Sequence, residues 1–190
     1  MHTWKKDLFN IPNLLSLFRL ALIPVYMHIY LSARVPSDYL LSGLILTVSC
    51  LTDLVDGKIA RHFDMITPLG KLLDPIADKM TQLVLTLCLS LRYPGLIPVL
   101  VLFLVKEFFQ FFAALICYRR GKALDGALLP GKICTAVLFA SFTILVVFPD
   151  LGSAWVNALS ILDFACLMFA FISYIFAFFG KNAKVQDIGS

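Results

Sequence analysis

Four carboxylates in one stretch are spaced for chemistry: Asp53 and Asp56 lie three residues apart, and Asp74 and Asp78 four apart. On a helix turning roughly 100° per residue, Asp53, Asp56, Gly57, Ala60 and Arg61 share an arc of about 140°. Asp74 and Asp78 stack on one face of the next helix in the same way. Two helices can therefore converge four carboxyl groups on one small volume. Four anions so close repel one another, and without a counter-charge some would take up protons. Hard divalent cations with oxygen ligands are the natural counter-charge, and Mg²⁺ keeps positions open for phosphate oxygens. Gly57 and Ala60 leave the helix face low enough for a bulky ligand to approach the backbone. Arg61 offers a fork of donors suited to phosphate. The competing reading is a polar inter-helix connection, with Asp74 as an N-cap before Pro75 at the first helical position.

The elements that must hold these groups are apolar. The chain has 190 residues, 60% of them hydrophobic and 15% charged, with a mean hydropathy of +0.89. Soluble domains carry about 25% charged residues. The expected fold class is an all-α integral membrane protein, a bundle of six transmembrane helices forming a single domain over residues 1–190. The spans are placed near Asn13–Leu31, Tyr39–Lys58, Asp74–Leu91, Leu96–Tyr118, Lys132–Phe148 and Ala154–Phe179. Met1 to Asn10 mixes Trp4, Leu8 and Phe9 with Lys5, Lys6 and Asp7, which suits a short amphipathic helix at the headgroup level or an unstructured tail. No short apolar core with a small-residue cleavage site opens the chain, so no removable signal peptide is expected.

The second span ends in one aspartate pair and the third begins with the other, so both pairs belong to the same side of the membrane. Lys5, Lys6, Lys58, Arg61, Lys71, Arg119, Arg120, Lys122, Lys132, Lys181 and Lys184 fall on that side, against Arg34 and Arg92 on the other. By the positive-inside rule, the cluster and both termini face the cytoplasm. The net charge of +4 is spread between apolar runs rather than gathered on one face. It fits anionic lipid headgroups and not nucleic acid. Five cysteines stand singly in apolar segments, where they are expected as small buried hydrophobes and not as zinc ligands or disulfides. The prolines Pro36, Pro94 and Pro149 fall in outer turns, whereas Pro24 lies inside a span and can kink it.

Some polar residues stand in the wrong solvent. Lys106 and Glu107 lie near the middle of the fourth run, either facing a cavity and the substrate or paired with a group on another helix. Asp163, in the outer half of the last run, is expected to be structural. Arg19 can snorkel to the interface or turn inward toward phosphate. Lys132, with Thr135 on the same face, can anchor its helix or bind an anionic acceptor.

The pattern Asp53-x2-Asp56-Gly57-x2-Ala60-Arg61-x8-Gly70-x3-Asp74-x3-Asp78 resembles the full signature of the CDP-alcohol phosphotransferase family, with all eight positions and every interval intact. The resemblance covers about the whole chain. It implies a membrane enzyme of about six helices, commonly homodimeric, that transfers a substituted phosphate from a CDP-linked donor to an alcohol and releases CMP. It implies that Asp53, Asp56 and Asp74 hold one or two divalent ions, Mg²⁺ or Mn²⁺. Asp78 would be the base and a further ligand. Asp53, Asp56, Gly57, Ala60, Arg61 and Gly70 would form the CDP-donor site.

The opening Asn10-Ile-Pro-Asn13, followed by Arg19, is similar to the start of bacterial phosphatidylglycerolphosphate synthases, one branch of that family. The chain departs from that branch at Cys134, where a second lysine is common, and at Lys106, where an arginine is usual. The expected reaction takes CDP-diacylglycerol and sn-glycerol 3-phosphate to phosphatidylglycerol phosphate in a bacterial plasma membrane. Lys132, Lys106, Arg119 and Arg19 would meet the acceptor. A CMP-forming cardiolipin synthase, another member of the family, or a cation channel or carrier stand as alternatives.

Overall fold

The computed structural model describes residues 10–62, 70–119, 122–124, 129–179 and 185–187. It contains six α-helices: α1 (Ile11–Ser32), α2 (Pro36–His62), α3 (Gly70–Arg92), α4 (Ile97–Arg119), α5 (Leu129–Val147) and α6 (Ser153–Phe179). Each overlaps one expected span to within a few residues. The expected interfacial segment, Met1 to Asn10, lies outside the described residues except for Asn10, which precedes α1.

Two departures have physical causes. The α3 helix starts at Gly70 rather than at Asp74, so Pro75 is internal and Asp74 is not its N-cap. The missing amide falls in the second turn, where it frees only the carbonyl of Lys71 close to the helix end. The second departure is a ribbon among described residues that are otherwise mostly helical. Strand β1 (Lys122–Leu124) pairs antiparallel with β2 (Val185–Asp187), Lys122 opposite Asp187. Pro24, by contrast, sits within α1 without ending the helix.

The chain divides into two compact units, Met1–Leu89 with Thr143–Asp150, and Ser90–Phe142 with Leu151–Ser190. In the first, α1 packs on α2. A run of rings joins them near their connection: Tyr26 stacks on Tyr30 at 5.7 Å, and Tyr30 meets Tyr39 edge-on at 5.4 Å. The start of α2 is fixed by Asp38, whose carboxylate accepts the backbone N–H groups of Arg34 at 2.9 Å and Val35 at 3.3 Å. In the second unit α4 packs on α6, where Phe109 meets Phe171 at 5.4 Å and Phe178 at 6.0 Å. Along α6 the buried residues are Val156, Ser160, Asp163, Leu167 and Ala170, the alternating three- and four-residue spacing of a helix-packing seam.

Polarity is inverted relative to a water-soluble fold. Asn13, Ser16, Arg19, Gln82, Lys106 and Asp163 are buried, while Trp155 is 67% and Phe176 72% exposed. Water would expel such rings from the surface, whereas lipid accepts them and drives polar groups inward. Three buried hydroxyls are satisfied within their own helices. Thr81 donates to Ala77 O at 2.8 Å, Thr86 to Gln82 O at 2.6 Å and Ser160 to Val156 O at 2.8 Å. Among the described residues, Asn13–Ser32, Pro94–Cys117, Leu129–Val147 and Ser153–Phe179 are long and apolar enough to cross a bilayer, and α2 carries the shorter apolar stretch Ser37–Ser49. The molecule is an integral membrane protein. Of the five cysteines expected to be buried, Cys88, Cys117 and Cys134 are, whereas Cys166 is only partly covered and the side chain of Cys50 lies outside the described residues.

Candidate active site

The carboxylates are carried by the end of α2 and the start of α3. Asp53, Asp56, Gly57, Ala60 and Arg61 all fall within the continuous helix α2, so the expected arc follows from the backbone. Their side chains lie outside the described residues. Gly70 is the first residue of α3.

Asp74 and Asp78 sit one turn apart on the face of α3 that continues into buried Ala77, Thr81 and Leu85. Both are engaged by α1. The Ser16 hydroxyl donates to Asp74 Oδ1. Arg19 Nη1 donates to Asp78 Oδ1 at 2.6 Å, a charge-assisted bond. Arg19 is 2% exposed and Asp78 is 47% exposed. Arg19 therefore turns inward rather than snorkelling, and its target is a carboxylate. A guanidinium supplies part of the counter-charge that the aspartate spacing calls for.

Ser16 is a site residue that the motif alone does not reveal. A signal for it is nevertheless present: Asn13, Ser16 and Arg19 recur every three residues in an apolar helix, and all three are buried. A polar stripe through a lipid-facing helix has to meet polar groups elsewhere. Here it meets α3.

Among the described residues no group of three or more Asp, Glu, His or Cys side chains is gathered to hold an ion. Asp74 and Asp78 contribute hard oxygen donors from adjacent turns, a donor set that suits Mg²⁺ or Mn²⁺.

The expected acceptor residues other than Arg19 belong to the second unit. Lys106 is buried, and its Nζ lies 2.6 Å from Oε1 of Glu107, the adjacent residue on the same helix. The ammonium also lies 5.9 Å from the centre of the Tyr174 ring and 6.0 Å from that of Phe103. Arg119 ends α4 and Lys132 stands in the first turn of α5. Thr135 donates back to Gly131 O at 3.0 Å. At Gly131 a Cβ would lie 2.5 Å from the Tyr174 hydroxyl, which would have to shift to admit it. Asp163 is fully buried on α6.

The model of the CDP-alcohol phosphatidyltransferase family covers residues 9–178, and the chain belongs to that family. The chain is similar to proteins of two names. A CDP-diacylglycerol--glycerol-3-phosphate 3-phosphatidyltransferase of Bacillus subtilis (strain 168) is 37% identical over 38% of this chain and 44% of its own length. A CMP-forming cardiolipin synthase of Streptomyces coelicolor is 30% identical over 80% of this chain and 70% of its own length. A putative cardiolipin synthase of Mycobacterium tuberculosis (strain ATCC 25618 / H37Rv) is 29% identical over 89% of this chain and 79% of its own length. The match to the Bacillus protein thus spans less than half of that relative.

Proposed function

We propose that the protein transfers the phosphatidyl group of CDP-diacylglycerol to the hydroxyl of sn-glycerol 3-phosphate, releasing CMP and forming phosphatidylglycerol phosphate. The observation that carries this reading is the seating of the polar stripe of α1 on the carboxylates of α3, Ser16 on Asp74 and Arg19 on Asp78, inside an otherwise lipid-facing helix set. Asp53, Asp56 and Asp74 would hold the divalent cation or cations, Mg²⁺ or Mn²⁺, with Asp78 as a further ligand. When bound, the ion neutralises charge on the diphosphate and on departing CMP.

The chain's own residues do the rest. Asp53, Asp56, Gly57, Ala60 and Arg61 receive the cytidine diphosphate, with Gly70 allowing close packing at its edge. Asp78 is the base, taking the acceptor hydroxyl's proton at a carboxylate oxygen. Arg19 fixes the orientation of that carboxylate through its 2.6 Å contact. Lys132, Lys106, Arg119 and Arg19 supply positive charge for an acceptor phosphate. In this reading six helices cross the bilayer as one domain, the site and both termini face the cytoplasm, and two copies form a homodimer.

A second reading is a CMP-forming cardiolipin synthase with phosphatidylglycerol as acceptor. Two relatives matched over most of this chain are named a CMP-forming cardiolipin synthase and a putative cardiolipin synthase, and this favours it. A panel separates the two: purified protein is given CDP-diacylglycerol with either alcohol and CMP release is followed. Turnover with glycerol 3-phosphate and not phosphatidylglycerol is expected, and the reverse selects the cardiolipin reaction. A cation channel or carrier would instead pass metal without any cytidine dependence, and family membership speaks against it.

A further inference from the structure

Two side chains of α1 grip the carboxylates of α3, and they differ in charge. The Ser16 hydroxyl is fully buried and donates to Asp74 Oδ1. Thr81, Thr86 and Ser160 donate to carbonyls of their own helices, a common recourse for a hydroxyl on a helix. The Ser16 bond reaches from α1 to α3. Arg19, three residues further along α1 and also buried, donates to Asp78 Oδ1 at 2.6 Å.

These contacts act on a divalent cation in opposite directions. One hydrogen bond occupies only one of about four lone-pair sites on a carboxylate. Asp74 held by Ser16 therefore keeps acceptor capacity for an ion. The donor is neutral and stands on a helix, so it fixes the carboxylate without adding charge. A ligand oriented beforehand loses less freedom when the ion binds. The Arg19 guanidinium orients Asp78 as well, but it carries a positive charge into the same small volume. It offsets the charge of a carboxylate that would attract the ion, and it repels the ion directly.

We infer that α1 sets the metal affinity of the site through two opposed contacts, Ser16 raising it by holding Asp74 and Arg19 lowering it by competing for Asp78. Ser16 is then a positioning residue that acts through Asp74. The inference rests on the reading of these carboxylates as a divalent-cation site.

The test reads binding and not turnover. The full chain is placed in nanodiscs of phosphatidylcholine, whose headgroups carry no net charge. It is titrated with Mn²⁺ alone while the signal of free Mn²⁺ is followed by electron paramagnetic resonance. Ser16→Ala is expected to raise the Mn²⁺ Kd about tenfold or more, the usual loss when a ligand's outer partner is removed. Ser16→Thr keeps the hydroxyl and is expected to bind like the wild type. Arg19→Gln removes the charge and is expected to lower Kd about fivefold or more, the Coulomb factor for unit charges about 4 Å apart in a water-like dielectric. Arg19→Lys keeps the charge and with it the weaker binding. Melting temperatures in chelator report the fold of each variant without the ion, and a purely structural role would move these while leaving Kd in place. If Ser16→Ala does not fold, the Arg19 variants decide. An unchanged Kd in folded Ser16→Ala, or an Arg19→Gln that fails to bind Mn²⁺ more tightly, overturns the inference and leaves the cation reading intact. A wild type that binds no more Mn²⁺ than empty nanodiscs overturns that reading and the inference together.

Discussion

The contact between Arg19 and Asp78 couples a buried cation to a half-exposed carboxylate, and the base role proposed for Asp78 is testable by graded substitution. Asp78→Asn keeps the shape but removes a proton acceptor. CMP release is expected to fall about a hundredfold or more, with KM for CDP-diacylglycerol little changed; a loss of less than threefold would take Asp78 out of the base role. Arg19→Ala removes the group that orients Asp78 and is expected to lower kcat by about tenfold or more. Arg19→Lys should recover only part of it, because an ammonium lacks the planar fork. Recovery to wild-type kcat would reduce Arg19 to a bare counter-charge.

The sequence makes some of this plain at the residue scale. The aspartate spacing is directly readable because a helix converts intervals of three and four into one face. The direction taken by Arg19 is not, since snorkelling and inward burial both suit a cation near a helix end. The partner of Lys106 is equally hidden. Adjacent helix residues point apart, yet the long lysine stem bends back to Glu107.

At the scale of elements, Gly131 in the first turn of α5 leaves room for the Tyr174 side chain of α6. Gly131→Ala would place a Cβ 2.5 Å from the Tyr174 hydroxyl and 3.2 Å from its ring. A loss of about 1–3 kcal/mol is expected from such overpacking, read as a lowered melting temperature in detergent. Adding Tyr174→Phe should restore much of it, because the hydroxyl is the nearest obstacle. A double variant no more stable than Gly131→Ala alone would show that the strain lies elsewhere. All six helices are legible because long apolar runs have few other solutions in a bilayer. The β1–β2 ribbon is not, since three-residue strands carry no periodicity to detect. The extra first turn of α3 is hidden because Pro75 reads as a helix start.

For the whole molecule, buried polar and exposed aromatic residues establish the solvent, and the basic residues propose its sidedness. Gly152 lies in the turn between α5 and α6, and a side chain added there would meet nothing within 4 Å. Gly152→Cys is therefore expected to react with a membrane-impermeant thiol reagent added to intact cells. Labelling only after the cells are opened would reverse the proposed orientation.

In the proposed reaction these carboxylates hold a metal ion where a nucleotide-linked lipid is split. The most direct measurement is CMP release by purified protein from CDP-diacylglycerol and an alcohol acceptor as Mg²⁺ is titrated, for the wild type and Asp56→Asn. Saturable, chelator-sensitive release in the wild type and almost none in the variant is predicted. Release that ignores both Mg²⁺ and Asp56→Asn, or no release with any acceptor, would contradict the account.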